Sequence, residues 1–194
     1  VQSEAGPILF QHASSLGLLA CAALLALLSG NAWPQPHAGW PAYGATPGGT
    51  HFSRASQITP DNVHRLEQAW QHRSGDVRKA DISEERWVTQ SSLQVTPILV
   101  GERLYYCSPF NKVFALDARS GEEIWRYDPE VDSESEQILP NCRGVSSWAS
   151  GKPGRCEHRI IVGTLDARLV ALDADSGTPC EDFGKGGQVD TSQW

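Results

Sequence analysis

The residues of this 194-residue chain whose type and spacing could carry chemistry are, first, its cysteines. Cys21 lies in an apolar run near the start, and Cys107, Cys142, Cys156 and Cys180 are spread through the second half. No two form a C-x-x-C pair, which argues against a zinc site, and no metal-ligating set is assigned. Four cysteines in an exported chain point to two disulfides with three possible connectivities, with buried free thiols as the alternative. Cys156 and Cys180 flank the second of two repeated hairpins described below and are the expected pair. Other enzyme signatures are missing: there is no H-E-x-x-H, no phosphate loop and no G-x-S-x-G. Gly184-Lys-Gly-Gly187 lacks the spacing and the preceding βα unit of a dinucleotide-binding turn and reads as a loop.

The balance of 16 basic and 23 acidic residues leaves a net charge of −7, and no Lys/Arg cluster offers a surface for nucleic acid. Hydrophobic residues at 40 % and charged residues at 20 % are ordinary for a globular domain and exclude a coiled coil or a disordered tail. With 18 Gly and 12 Pro the composition favours a turn-rich β protein over a helical bundle. Met is absent even at position 1, which fits an alternative start codon or a beginning that lies further upstream.

No Asp, Glu, Lys or Arg occurs between Glu4 and Arg54, and Leu16 to Leu28 is an unbroken apolar run of Leu, Ala, Gly and Cys. A signal peptide needs a core of about 7–15 apolar residues and a spanning helix about 20. Gly30 and Ala32 are small residues at the −3 and −1 positions of a possible cleavage site. Residues 1–32 are therefore expected to be one apolar helix, either a signal peptide or a transmembrane anchor, with a buried core helix as a third option. The first two place the remainder outside the cytoplasm.

The elements that would position any site follow from residue 90 onward. Gln94–Val100, Arg103–Cys107, Lys112–Asp117 and Glu123–Tyr127 read as four short antiparallel strands separated by Gly, Pro, Asp and Asn. The pattern returns 56 residues later, where Ala171-Leu-Asp-Ala-Asp-Ser-Gly177 repeats Ala115-Leu-Asp-Ala-Arg-Ser-Gly121. Without a gap, Leu104-Tyr-Tyr106 then aligns with Ile160-Ile-Val162. Four strands recurring at such a period indicate β-propeller blades, and residues 90–194 hold about two of them, the second ending soon after Phe183-Gly184. A closed propeller needs at least four blades, so the chain is expected to be the first part of a longer protein. Residues 33–89 form a lead-in segment, with a short helical turn over Ile58–Leu66 and an outer strand at Leu66–Trp70.

Trp40-Pro-Ala-Tyr-Gly44, Gly48-Gly-Thr-His-Phe-Ser53, Gln57-Ile-Thr-Pro-Asp-Asn-Val63, Ala69-Trp70 and Gly75-Asp76 resemble the opening of pyrroloquinoline quinone (PQQ)-dependent dehydrogenases. Thr96-Pro97, Ala115 to Trp125 and Tyr127-Asp-Pro129 match that family's blade signature, in which the Trp docks neighbouring blades together. Cys142-Arg-Gly-Val145, Gly163-Thr-Leu-Asp-Ala-Arg168, Cys180 and Phe183-Gly184 are similar to the membrane-bound glucose, quinate and shikimate dehydrogenases. The resemblance implies an all-β, eight-bladed propeller in the periplasm, with PQQ and Ca²⁺ near its axis. It implies a small-molecule alcohol, sugar or polyol as substrate, a hydride passing to the quinone carbonyl, and membrane ubiquinone as electron acceptor. The family's Ca²⁺ ligands and its Asp base belong to later blades, so no catalytic residue is assigned here and the 194 residues alone are expected to be inactive.

Three residues are candidates for the cofactor site. Arg143 stands where the family has a cofactor-contacting Arg. PQQ carries three carboxylates, which a planar guanidinium fork suits, and Gly144 would allow close backbone approach. The alternative is a surface Arg paired with the acidic run Asp132–Glu136. Thr164 could hydrogen-bond the cofactor or simply cap its turn. Gln94 lies two residues before Thr96-Pro97, where related quinoproteins often carry a Glu toward PQQ. It keeps the reach and drops the charge, and a solvent-facing Gln is the alternative. Trp125 reads as a blade-packing residue. No His occurs between Glu134 and Glu157, where glucose-oxidising relatives are expected to have one, and Leu139 or Trp148 takes that neighbourhood. A non-enzymatic periplasmic propeller that uses the same repeat as a scaffold is the competing function.

Overall fold

The computed structural model describes residues 39–46, 48–79, 81–82, 87–88, 90–131 and 140–193. The apolar run of residues 16–28, and with it the expected N-terminal helix, lies outside them. No helix among the described residues is long and apolar enough to cross a membrane. The described residues all fall within the unit Pro36–Trp194.

Strands β1 (Asp81–Ile82) and β2 (Trp87–Val88) pair as a small antiparallel ribbon. Two four-stranded antiparallel sheets follow. The first runs β3 (Ile98–Val100), β4 (Arg103–Cys107), β5 (Val113–Asp117) and β6 (Glu123–Tyr127) in order. The second has β7 (Ser146–Ala149), β8 (His158–Gly163), β9 (Arg168–Asp173) and β10 (Gln188–Asp190) in the same order. Each is a meander, the architecture of a propeller blade.

The repeated Ala-Leu-Asp-Ala-x-Ser-Gly segment works as a turn device. Asp117 Oδ1 accepts from the N–H of Arg119 (2.9 Å) and of Ser120 (2.8 Å) and from the Ser120 hydroxyl (3.0 Å). Asp173 Oδ1 accepts from the N–H of Asp175 (3.1 Å) and of Ser176 (2.9 Å) and from the Ser176 hydroxyl (2.9 Å). Gly121 and Gly177 close the two turns at φ 73° and 70°, a conformation that costs other L-residues energy.

The 56-residue register superposes β4 and β5 on β8 and β9, then breaks at the outer strands. The two-residue turn Gly101-Glu102 is replaced in the second blade by the long connection between Ala149 and His158, and the step from Asp117 to Glu123 by that from Asp173 to Gln188. Cys156 lies in the first enlargement and Cys180 in the second, and the two form a disulfide. The second blade consequently ends at Asp190, beyond Phe183-Gly184. Cys107 and Cys142 form the other disulfide.

Two expected strands are corrected. The first strand begins at Ile98, not Gln94, because Pro97 has no N–H to give to a ladder and the Thr96 N–H goes instead to Arg143 O at 3.2 Å. Leu66–Trp70 pairs with no strand among the described residues. The helical turn in the preceding segment is shortened to a 3₁₀ turn at Val63–Arg65.

Alternation along β4 sends Tyr105 and Cys107 to one face and Leu104 and Tyr106 to the other. Tyr105, Cys107, Val113, Ala115 and Trp125 pack against Ile160, Val162, Val170 and Leu172 of the second sheet in one core between the blades. Fully buried Ile98, Ile160 and Leu172 each contribute about 1.5–3 kcal/mol of apolar burial. Tyr106, Phe114 and Leu116 face the other way, toward Trp70 of the lead-in segment. Trp40 of that segment bridges Leu99 of β3 through two backbone hydrogen bonds (3.0 and 2.8 Å), and residues 70–76 add three further clasps on the first blade. Trp70 Nε1 donates to Ala118 O (3.3 Å), and His72 lies between the Tyr106 hydroxyl (2.7 Å) and Glu123 (3.3 Å). Asp76 accepts from the Ser108 hydroxyl and the Phe110 N–H and pairs with Lys112 at 3.2 Å.

Candidate functional site

Strand direction puts the three candidate residues at one end of the sheets. β4 ends at Cys107 and β8 at Gly163, and the chain turns back there through residues 108–112 and 164–167. β3 and β7 begin at that same end, because Ile98 pairs with Tyr105 and Ser146 with Ile161. Gln94 and Arg143 precede β3 and β7, and Thr164 follows β8. The two blades are stacked with these ends aligned, since Asn111 Oδ1 of one turn accepts from the Leu165 N–H of the other at 2.8 Å.

Gln94 and Arg143 are brought together by tethers from segment 141–144. The Arg143 carbonyl accepts from the Thr96 N–H at 3.2 Å. Asn141 Nδ2 donates to Gln94 Oε1 at 3.1 Å. Cys142 is covalently joined to Cys107 at the tip of β4. Gly144 lies so close to the first blade that an added Cβ would come 3.3 Å from Thr96 O. Arg143 is exposed, and its guanidinium makes no hydrogen bond or ion pair among the described residues. The acidic run 132–136 that could have engaged it lies outside those residues. The result is a cation with a fork of N–H donors, unpaired among the described residues, on a segment held at three places.

Thr164 is differently placed. Its hydroxyl donates within its own turn, to Asp166 Oδ1 and toward Arg168 O (3.1 Å), and accepts from the Arg168 N–H at 3.1 Å. Burial works to raise the Asp166 carboxyl, but hydrogen bonds from Arg168 and Thr164 outweigh it and hold the group below its ordinary range. Arg168 also donates to Pro129 O at 2.7 Å and so links this turn to the exit of β6. An open cleft of about 410 Å³ lies at the opposite end, lined by Val100, Glu102, Arg103, Tyr105, His158 and Asp175, away from the candidate residues.

Residues 40–193 match the family model described as the glucose/ethanol/alcohol dehydrogenase β-propeller domain of PQQ enzymes. The chain belongs to the PQQ-dependent dehydrogenase family. It is 42 % identical over 155 residues to the quinoprotein glucose dehydrogenase of Escherichia coli, covering 76 % of this chain and 19 % of that protein. It is 38 % identical to the glycerol dehydrogenase large subunit of Gluconobacter thailandicus, covering 79 % of this chain and 20 % of that protein. The quinohemoprotein alcohol dehydrogenase of Comamonas testosteroni superposes with a TM-score of 0.61 at 28 % identity, over 80 % of this chain and 20 % of that one. The chain thus spans about a fifth of the length of the curated relatives it matches.

Within this PQQ-dependent dehydrogenase chain, sequence reasoning missed Asn141, the link between Gln94 and the arginine segment. A lone Asn before Cys-Arg-Gly gives no local signal, and only its partner 47 residues away makes it part of the site. It also missed the equivalence of Trp70 and Trp125. Trp125 Nε1 donates to Ala174 O at 3.0 Å as Trp70 Nε1 donates to Ala118 O, and the two indoles cover Gly177 and Gly121. The spacing of the two tryptophans is one residue short of the repeat, a signal that was available.

Proposed function

We propose that this chain supplies the first two blades, and the first wall of the cofactor site, of a PQQ-dependent dehydrogenase that oxidises an alcohol, sugar or polyol. The observation that carries the reading is the Arg143 guanidinium, which has no partner among the described residues and stands on a segment tethered to that of Gln94. PQQ presents three carboxylates and quinone oxygens, all acceptors, and the donors here fit it: the Arg143 fork, and the Gln94 amide hydrogen not used by Ser92. When bound, PQQ supplies the two-electron acceptor for the hydride leaving the carbinol carbon.

This chain's own residues bind and orient. Arg143 neutralises and aligns a carboxylate, Gln94 donates a directional hydrogen bond, and Gly144 keeps the site free of a side chain that would press on Thr96. Thr164 shapes the adjoining turn through its bonds to Asp166 and Arg168, and would be the third contact to the cofactor. Ca²⁺ ligands and the proton-accepting base come from later blades, so the 194 residues alone are inactive. Residues 1–32 act as a signal peptide or membrane anchor, residues 33–89 lead in, and residues 90–194 begin the propeller. The enzyme works in the periplasm at the inner membrane and passes electrons to ubiquinone.

The test is titration of full-length apoprotein with PQQ in the presence of Ca²⁺, followed by dye-coupled activity. Arg143→Ala should weaken PQQ binding by at least about tenfold, the range for a lost charge-assisted hydrogen bond. Wild-type affinity in that variant would remove Arg143 from the site.

A further inference from the structure

Asn141 Oδ1 is the one buried side-chain polar atom without a hydrogen-bond partner among the described residues. The same side chain donates Nδ2–H to Gln94 Oε1 at 3.1 Å, and Gln94 Nε2 in turn donates to Ser92 Oγ at 3.2 Å. The chain of donors therefore runs one way, from Asn141 through Gln94 to Ser92. Reversing both amides would place an NH₂ in the buried position now held by Asn141 Oδ1, stranding two donors where one acceptor is stranded now. The lone oxygen is the lesser penalty, and it favours this direction. Gln94 itself is exposed. With its oxygen claimed by Asn141 and one amide hydrogen by Ser92, what Gln94 has left to offer is its second N–H.

We propose that Asn141 is a positioning residue that fixes the direction of the Gln94 amide, so that Gln94 meets its ligand as a hydrogen-bond donor. This rests on the reading that Gln94 faces PQQ. The ligand chemistry agrees with the direction. The carboxylates and quinone oxygens of PQQ are acceptors, and an outward N–H is complementary to them. An unlocked glutamine would present either end, and the donor orientation would have to be selected at the moment of binding.

Full-length apoprotein of the wild type, Gln94→Ala, Asn141→Leu and the double variant is titrated with PQQ and Ca²⁺, following quenching of tryptophan fluorescence. The melting temperature of each apoprotein is measured alongside. Leu approximates Asn in size and removes the stranded oxygen, so Asn141→Leu should melt at or above the wild-type temperature. Its PQQ affinity should nevertheless fall by about three- to tenfold, as in Gln94→Ala, and the double variant should be no weaker than either single one. Wild-type affinity in Gln94→Ala overturns the placement of Gln94, and the inference with it. Weakened Gln94→Ala with wild-type Asn141→Leu overturns the inference alone. So do additive losses, or a lowered melting temperature that accompanies the lost affinity. Should the leucine variant not fold, Asn141→Asp in wild-type and Gln94→Ala backgrounds decides by the same criteria. Aspartate makes Gln94 turn its NH₂ inward, and an equal loss without Gln94 would be a charge effect and would sink the idea.

Discussion

The indole of Trp125 occupies the space that a side chain on Gly177 would need. A Cβ built on Gly177 would lie 2.6 Å from Trp125 Cδ2 and from Cε3, and the same indole donates to the carbonyl of Ala174, three residues earlier in the turn. The turn of the second blade and the outer strand of the first are thereby joined through a surface that tolerates no side chain. Trp70 and Gly121 repeat the relationship one blade earlier.

Gly177→Ala is accordingly expected to destabilise the protein by about 2–4 kcal/mol, combining left-handed backbone strain with overpacking. In Gly177→Ala/Trp125→Ala the second substitution opens the space the first needs, so the two losses should fall short of their sum. Denaturant midpoints of the single and double variants check this, and strictly additive values would refute the contact.

Releasing the lead-in segment should be possible without disturbing the sheets. Trp70→Ala removes the packing over Gly121 and the bond to Ala118, leaving the Trp40–Leu99 bridge upstream and the His72 and Asp76 clasps downstream. Backbone amides around residues 66–72 should then exchange faster in hydrogen–deuterium exchange, while those of β4 and β5 keep their protection. Equal acceleration in both regions would mean that Trp70 holds the blade itself.

The two disulfides should separate stability from binding. Mass spectrometry of the non-reduced protein should show Cys107–Cys142 and Cys156–Cys180 peptides. Each bridge closes a loop, of 35 and 24 residues in sequence separation, and each contributes about 3–4 kcal/mol in the chain-entropy account. Cys107→Ser/Cys142→Ser should also weaken PQQ binding, because Cys142 adjoins Arg143. The Cys156–Cys180 bridge ties only the two enlarged connections of the second blade, so Cys156→Ser/Cys180→Ser should leave PQQ affinity unchanged. Equal effects on affinity would disprove the division.

Asp173 gives a pH dependence with a definite sign. Burial works to raise its carboxyl, but the N–H of Cys156 at 2.6 Å, the Ser176 hydroxyl and the turn amides outweigh it and hold the group below its ordinary range. A depressed folded value means the contribution is complete above the unfolded value of about 3.9 and is lost as pH falls through the folded one. Asp173→Asn should cost about 1.5–3 kcal/mol at pH 7, the range for hydrogen bonds to a charged acceptor. The gap from wild type should shrink as pH drops below about 4. Urea unfolding at pH 7 and pH 3 measures it, and a constant gap would show that the charge contributes nothing.

What the amino-acid sequence determined by itself is what short-range chemistry controls. Alternation along β4 and β5, and the Asp-x-Ser-Gly turns after β5 and β9, depend on partners within a few residues, so the 56-residue register and the all-β fold could be read directly. The start of β3 could not, because the Thr96 N–H is claimed by Arg143, far along the chain, and Pro97 has none to give. Nor could the coupling of Asn141 to Gln94 across 47 residues, or the docking of Trp70 on Ala118 across 48. These contacts exist only once the blades have stacked and the lead-in segment has docked on the first of them. Bringing such distant segments together costs loop-closure entropy, and only burial of the shared core between the sheets offsets it. Arg143 shows both levels: its type was legible in Cys-Arg-Gly, but its tethered backbone is a property of the stacked blades.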